Sequence, residues 1–151
     1  MEELAAAIQA SELATLLRRS RWTYPAINTA HVLGMALLVG AVVPMDLRLM
    51  GLWRADIRLD TVLRLLRPMA AFGAVLAILT GALLFAVQAS DYARLPLFAL
   101  KLALIAIGLA HALFWGGALA GAPRARQRRA GAQSLLIWLG VLVCGQMLGY
   151  L

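Results

Sequence analysis

Four apolar stretches, at about residues 22–45, 68–88, 96–121 and 132–151, dominate the chain. Each has roughly 20 residues or more, which as a helix rising ~1.5 Å per residue covers a hydrocarbon core of ~30 Å. With 63% apolar residues and a mean hydropathy of +0.84, the chain lies far above the roughly half-apolar composition of soluble domains. These features predict an all-α integral membrane protein. Short and moderate connections between the spans imply a four-transmembrane-helix, up-down-up-down bundle.

Residues 1–20 read differently from the rest. Leu4, Ile8, Leu13, Leu16 and Leu17 recur at helical spacing among Glu, Gln, Ser and Arg, a pattern too polar to span and suited to an amphipathic helix lying in the membrane interface. The division expected is therefore an interfacial helix over 1–20 and a transmembrane domain over 21–151. Glu2 and Glu3 stand where a signal peptide would carry basic residues, so the chain is expected to start near Met1 without cleavage.

Thirteen of the fourteen basic residues are arginines, set between the apolar runs. That placement serves topology and lipid headgroups, and no basic reading helix or aromatic-basic platform points to nucleic acid. Arg48, Arg54, Arg58, Arg64, Arg67, Arg124, Arg126, Arg128 and Arg129 flank one side of the spans; Arg18, Arg19, Arg21 and Arg94 flank the other. The more basic side is expected in the cytoplasm, which puts both termini in the periplasm of a bacterial inner membrane. A short helix is expected at Leu59, Val62, Leu63 and Leu66, ahead of a second span opened by Pro68. Cys144 is the sole cysteine, so no intrachain disulfide or cysteine metal site forms. Gly145 and Gly149 form a small-xxx-small pair suited to helix association, including with a second copy.

Both histidines of the chain fall inside spans: His31 in the first, His111 in the third. An ionisable side chain at such depth costs up to ~3 kcal/mol on insertion scales and marks a functional site by default. The two spans run in the same direction, so depth can be compared by counting. From the cytoplasmic charges the histidines differ by two residues, only ~3 Å along a helix. They match from the outer side if Lys101 snorkels to the interface; measured from Arg94 they fall ~10 Å out of register.

At a common depth, two imidazoles hold a b-type haem inside a bundle. Gly34 after His31 and Gly108 before His111 offer clearance for a flat macrocycle. Phe114 and Trp115 offer packing at its edge, Asn28 a partner to orient the His31 imidazole, and Arg21 and Lys101 charges for propionates. The role expected is electron transfer involving a quinone or a membrane redox partner, with haem-dependent oxidoreductase turnover left open. Each histidine also has a plainer use, hydrogen bonding across helices to Asn28, Thr29, Thr80 or Gln146. His31 with Met35 suits copper, and the glycines suit helix packing.

Several stretches carry a resemblance to known proteins. They are Tyr24-Pro25 through Met50-Gly51 (YP…HVLG…LLVG…DLRLMG), Thr80-Gly81-Ala82-Leu83-Leu84-Phe85, Asp91-Tyr92, and the run from Pro96 through Lys101 to Leu104. Over roughly residues 24–114 the chain resembles a family of bacterial four-span membrane proteins with no assigned activity. More distantly, a first-span His followed by Gly, with a third-span Lys-Leu-Ala-Leu run leading to a His, is similar to HemJ-type protoporphyrinogen oxidases and to the membrane domain of copper-resistance protein D. The first likeness implies haem b with His31 and Lys101 as the important pair; the second implies copper or other metal transport. No further intramembrane polar cluster for a tetrapyrrole substrate stands out in the sequence.

Overall fold

The computed structural model describes residues 2–53, 56–115 and 119–150. Met1, Arg54, residues 116–118 and Leu151, which entered the expected chain start, loop charge and span ends, lie outside them. The described residues form helices and connections only: α1 (Glu2–Gln9), α2 (Glu12–Arg19), α3 (Thr23–Met50), α4 (Leu59–Val87), α5 (Ala89–Ala93), α6 (Pro96–Trp115) and α7 (Arg124–Met147). Four of these, α3, α4, α6 and α7, are long and apolar enough to cross a membrane.

Three of the four long helices overrun the expected spans, for a common reason. The buried stripe of α3 passes through Gly34, Leu38, Val42, Asp46 and Leu49, so the helix continues beyond the first charge at Asp46. It stops at Gly51, whose φ of 75° is left-handed and whose N–H bonds back to the Arg48 carbonyl. In α4 the stripe Val62, Leu63, Ala70, Gly73, Ala74, Ala77 and Thr80 crosses Pro68 without a change of phase. The short helix and the second span are therefore one element, and Pro68 sits inside it rather than opening it. In α7, Gln127, Ala130, Gly131 and Ser134 are buried while Arg124, Arg126, Arg128 and Arg129 are exposed. The expected arginine loop is thus the first two turns of a helix with one packed face.

The helices pack in the order α4, α3, α7, α6. Among the described residues the α6 backbone does not closely approach α3 or α4; α6 is held mainly by α7 and meets α4 through side chains only. Small residues set the closest approaches. A Cβ added to Gly73 would lie 2.5 Å from the Leu38 nitrogen, and one added to Gly34 would lie 2.7 Å from the Ala77 nitrogen. Gly131 likewise meets the Asp46 carbonyl oxygen, and Gly108 meets the Trp138 ring. The main core joins Leu38, Ala41, Val42, Ala70, Ala74, Trp138 and Val141. Between α4 and α6, floored by α3 and α7, runs a cleft that widens into two cavities, an outer one of about 550 Å³ and an inner one of about 400 Å³.

The expected single helix over 1–20 is instead two. Ser11 interrupts it: its hydroxyl donates to the Ile8 carbonyl at 2.6 Å and accepts the Ala14 N–H at 3.3 Å, capping α2. The segment folds back on the bundle. Gln9 accepts the Ser90 N–H at 2.8 Å, and Arg18 donates to the Val87 carbonyl at 3.0 Å and the Gln9 carbonyl at 2.7 Å. Leu4, Ala5 and Ile8 thereby form part of the outer cavity wall.

Candidate functional site

His31 projects from α3 against α4. Its Nδ1 lies 2.9 Å from the Ala77 carbonyl oxygen and 3.1 Å from the Thr80 hydroxyl. Thr80 in turn donates to the Leu76 carbonyl at 2.6 Å. A carbonyl only accepts, so Nδ1 carries the proton and donates to Ala77, which leaves Nε2 as the nitrogen available to a ligand. Metal-binding histidines are commonly fixed in this way. Gly81 makes room for the ring: a Cβ there would stand 3.1 Å from His31 Cε1.

The outer cavity holds His31 together with Lys101, Met35, Phe85, Phe98 and Trp138. Phe85 and Phe98 stack with centroids 5.0 Å apart. The Lys101 side chain turns toward α7. A Cβ on Gly145 would lie 3.3 Å from its Nζ, so the side chain lies along the apolar run of α7, within the bundle. The remaining wall is almost wholly apolar, and its volume is within the usual range for small-molecule and cofactor sites.

The two histidines are not brought together. His111 is ten residues from Lys101 on the same helix, or ~15 Å along its axis, and it lines the inner cavity. Residues on α4 give the same separation: His31 bonds at Ala77 and Thr80, whereas Arg67 reaches the Trp115 carbonyl, one turn past His111. Two metal–nitrogen bonds of ~2 Å each span far less than that. The depth match required Lys101 at the membrane surface; with Lys101 turned inward, the count from Arg94 is the better guide.

Other expected contributors also move. Gly34 and Gly108 serve helix packing, against α4 and Trp138 respectively, and neither clears space beside a histidine. Asn28 is exposed, and the partners that orient His31 come from α4. Arg21 lies over the Trp22 ring at 5.9 Å and is exposed, away from the cavity wall. Phe114 is 77% exposed. Trp115 borders the inner cavity, its ring centroid 6.3 Å from that of His111.

The inner cavity sets His111 among polar groups that do not stand out in the sequence: Asp46, Arg67 and Ser134. Asp46 is only 1% exposed, the largest fully buried side chain among the described residues. It was hidden because a charge at the end of an apolar run reads as the start of a loop. The signal that finds it is phase, since Asp46 lies on the α3 stripe with Leu38, Val42 and Leu49. Among the described residues no group of three or more His, Cys, Asp or Glu side chains forms a metal cluster. Compared with known protein families, with curated proteins and with solved structures, the chain matches none.

Proposed function

We propose that this protein is a membrane b-type cytochrome whose haem would occupy the outer cavity, held by His31 and Lys101. The observation that carries this reading is a histidine with Nδ1 committed to the Ala77 carbonyl, sharing an apolar cavity of about 550 Å³ with a lysine. The donor set fits, because neutral imidazole and neutral primary amine are both nitrogen ligands that iron accepts. Bound there, haem would supply one-electron redox chemistry, with His31 and Lys101 as the residues that would hold it.

The chain's own residues supply orientation and dryness. Ala77 fixes the His31 tautomer and Thr80 limits the swing of the ring. Phe85 and Phe98 give the cavity an aromatic side, while Leu4, Ala5 and Ile8 of α1 shield it at the outer end. The spans are taken as up-down-up-down, because contacts pair rising with falling residue numbers: Gly34 with Ala77 and Leu38 with Gly73 across α3 and α4, Lys101 with Gly145 and Gly108 with Trp138 across α6 and α7. The arginine balance then places the α3–α4 and α6–α7 connections in the cytoplasm and both termini in the periplasm of a bacterial inner membrane. In that setting α2, with Leu17 buried and Arg18 and Arg19 in its last turn, lies at the outer interface.

The test is haem content per chain, by pyridine haemochrome, after expression with excess haem precursor. About one haem per wild-type chain, with a loss in His31→Ala, supports the reading; haem retained in His31→Ala refutes it. A second reading, copper handling, has one observation in its favour, that Met35 lines the same cavity as His31. A colourless protein that binds copper through these two residues would establish it instead.

A further inference from the structure

The inner cavity contains two buried polar atoms without partners, and they lie at one level on helices whose backbones do not closely approach one another. Oδ2 of Asp46 and Nε2 of His111 are both buried and make no hydrogen bond. Ser134 interacts with the Asp46 carboxyl and Gln133 with the His111 ring. These are adjacent residues of α7, so the two side chains stand at the same depth. Asp46 belongs to α3 and His111 to α6, whose backbones make no close approach among the described residues. Unpartnered polar atoms at this depth are costly and call for an occupant.

The walls narrow the choice of occupant. They are mostly apolar, including Leu38, Ala74, Leu109 and the rings of Trp115 and Trp138. A lipid acyl chain would fill the space and leave both polar atoms unpaired. A water molecule needs two to four polar partners of its own, which these walls do not supply at each atom. A divalent cation would find one carboxylate and one imidazole beside the Arg67 guanidinium, a poor donor set. What remains is a flat, membrane-soluble ring bearing polar groups at opposite ends.

We propose that the inner half of the cleft binds the ring of an isoprenoid hydroquinone, one ring hydroxyl donating to Asp46 Oδ2 and the other hydrogen bonding to His111 Nε2. The two tryptophans flank the ring, and its tail leaves toward lipid between α4 and α6. This site is distinct from the His31–Lys101 cavity. It gives the electron-transfer reading a membrane partner, yet binding itself requires no haem.

The experiment is an anaerobic titration of the purified protein in lipid nanodiscs with decyl-ubiquinol, read by tryptophan fluorescence. Saturable quenching is expected. Asp46→Leu and His111→Leu should each weaken it by roughly tenfold or more, as expected when one hydrogen bond is lost and a polar group of the bound ring is left unpaired. A further measurement on the wild type covers the case in which a variant loses its helix content by circular dichroism: n-decanol, an alkyl chain without the ring, should not compete. Non-saturable quenching, unchanged affinity in both folded variants, or displacement by decanol would each overturn the proposal. Haem is assayed on the same samples, so saturable binding to haem-free protein upholds this site while defeating only the cytochrome reading.

Discussion

The closest approach in the bundle is between α3 and α4, and Gly73→Ala is the substitution that tests it. The added Cβ would stand 2.5 Å from the Leu38 nitrogen and 2.8 Å from the Gly34 oxygen. Both are backbone atoms, so no side chain can turn aside and the two helices must separate. Overpacking of this kind costs ~1–3 kcal/mol, with the upper end expected because the clash involves two helix backbones. Replacing Gly by Ala inside a helix returns ~1 kcal/mol through propensity. The net expectation is a loss of about 2 kcal/mol, or roughly 30-fold in the folded-to-unfolded ratio. Gly40→Ala is the matched control, since nothing lies within 4 Å of its added Cβ, and it should be neutral or stabilising. The assay is reversible unfolding in mixed micelles with increasing sodium dodecyl sulfate, followed by circular dichroism. If Gly73→Ala proves as stable as Gly40→Ala, the α3–α4 packing described above is wrong.

Three further outcomes are expected. Thr80→Val removes one of the two partners of His31 Nδ1 while leaving the Ala77 carbonyl, and should cost ~1 kcal/mol in the same unfolding assay. Arg18→Ala removes the hydrogen bonds to the Val87 and Gln9 carbonyls; hydrogen exchange should then accelerate in α1 and α2 and stay unchanged in α7. Tyr92, outside the long helices, has its phenol pushed above the ordinary range by burial, then by Tyr24 and Asp91. Its stabilising contribution is therefore present below the unfolded-state pKa and lost as pH rises through the raised one. Ultraviolet difference titration of wild type against Tyr92→Phe should show one tyrosine ionising late.

The apolar runs were enough to place four long helices, because hydrocarbon length and backbone hydrogen bonding leave little choice. Their ends were less legible, since the packed stripes carry on past the hydrocarbon limit. Asp46 and Gln127 are buried at helical phase amid charged neighbours, and a charge count reads those stretches as loops. His31 stood out on depth alone, but its partners did not: the Ala77 carbonyl is backbone, and Thr80 was one of several polar residues on offer. The pairing of His31 with His111 failed on the direction of a single side chain. Whether Lys101 snorkels outward or lies along Gly145 changes the inferred depth of α6 by about two turns, and spacing in one sequence does not fix a rotamer.

The central claim is that His31 and Lys101, not His31 and His111, complete one haem site. Near-infrared magnetic circular dichroism of the oxidised, haem-loaded protein reads the axial ligand pair directly, in wild type, Lys101→Ala and His111→Ala. A histidine–amine signature that survives in His111→Ala and vanishes in Lys101→Ala is the predicted result. A bis-histidine signature that vanishes in His111→Ala would contradict the account.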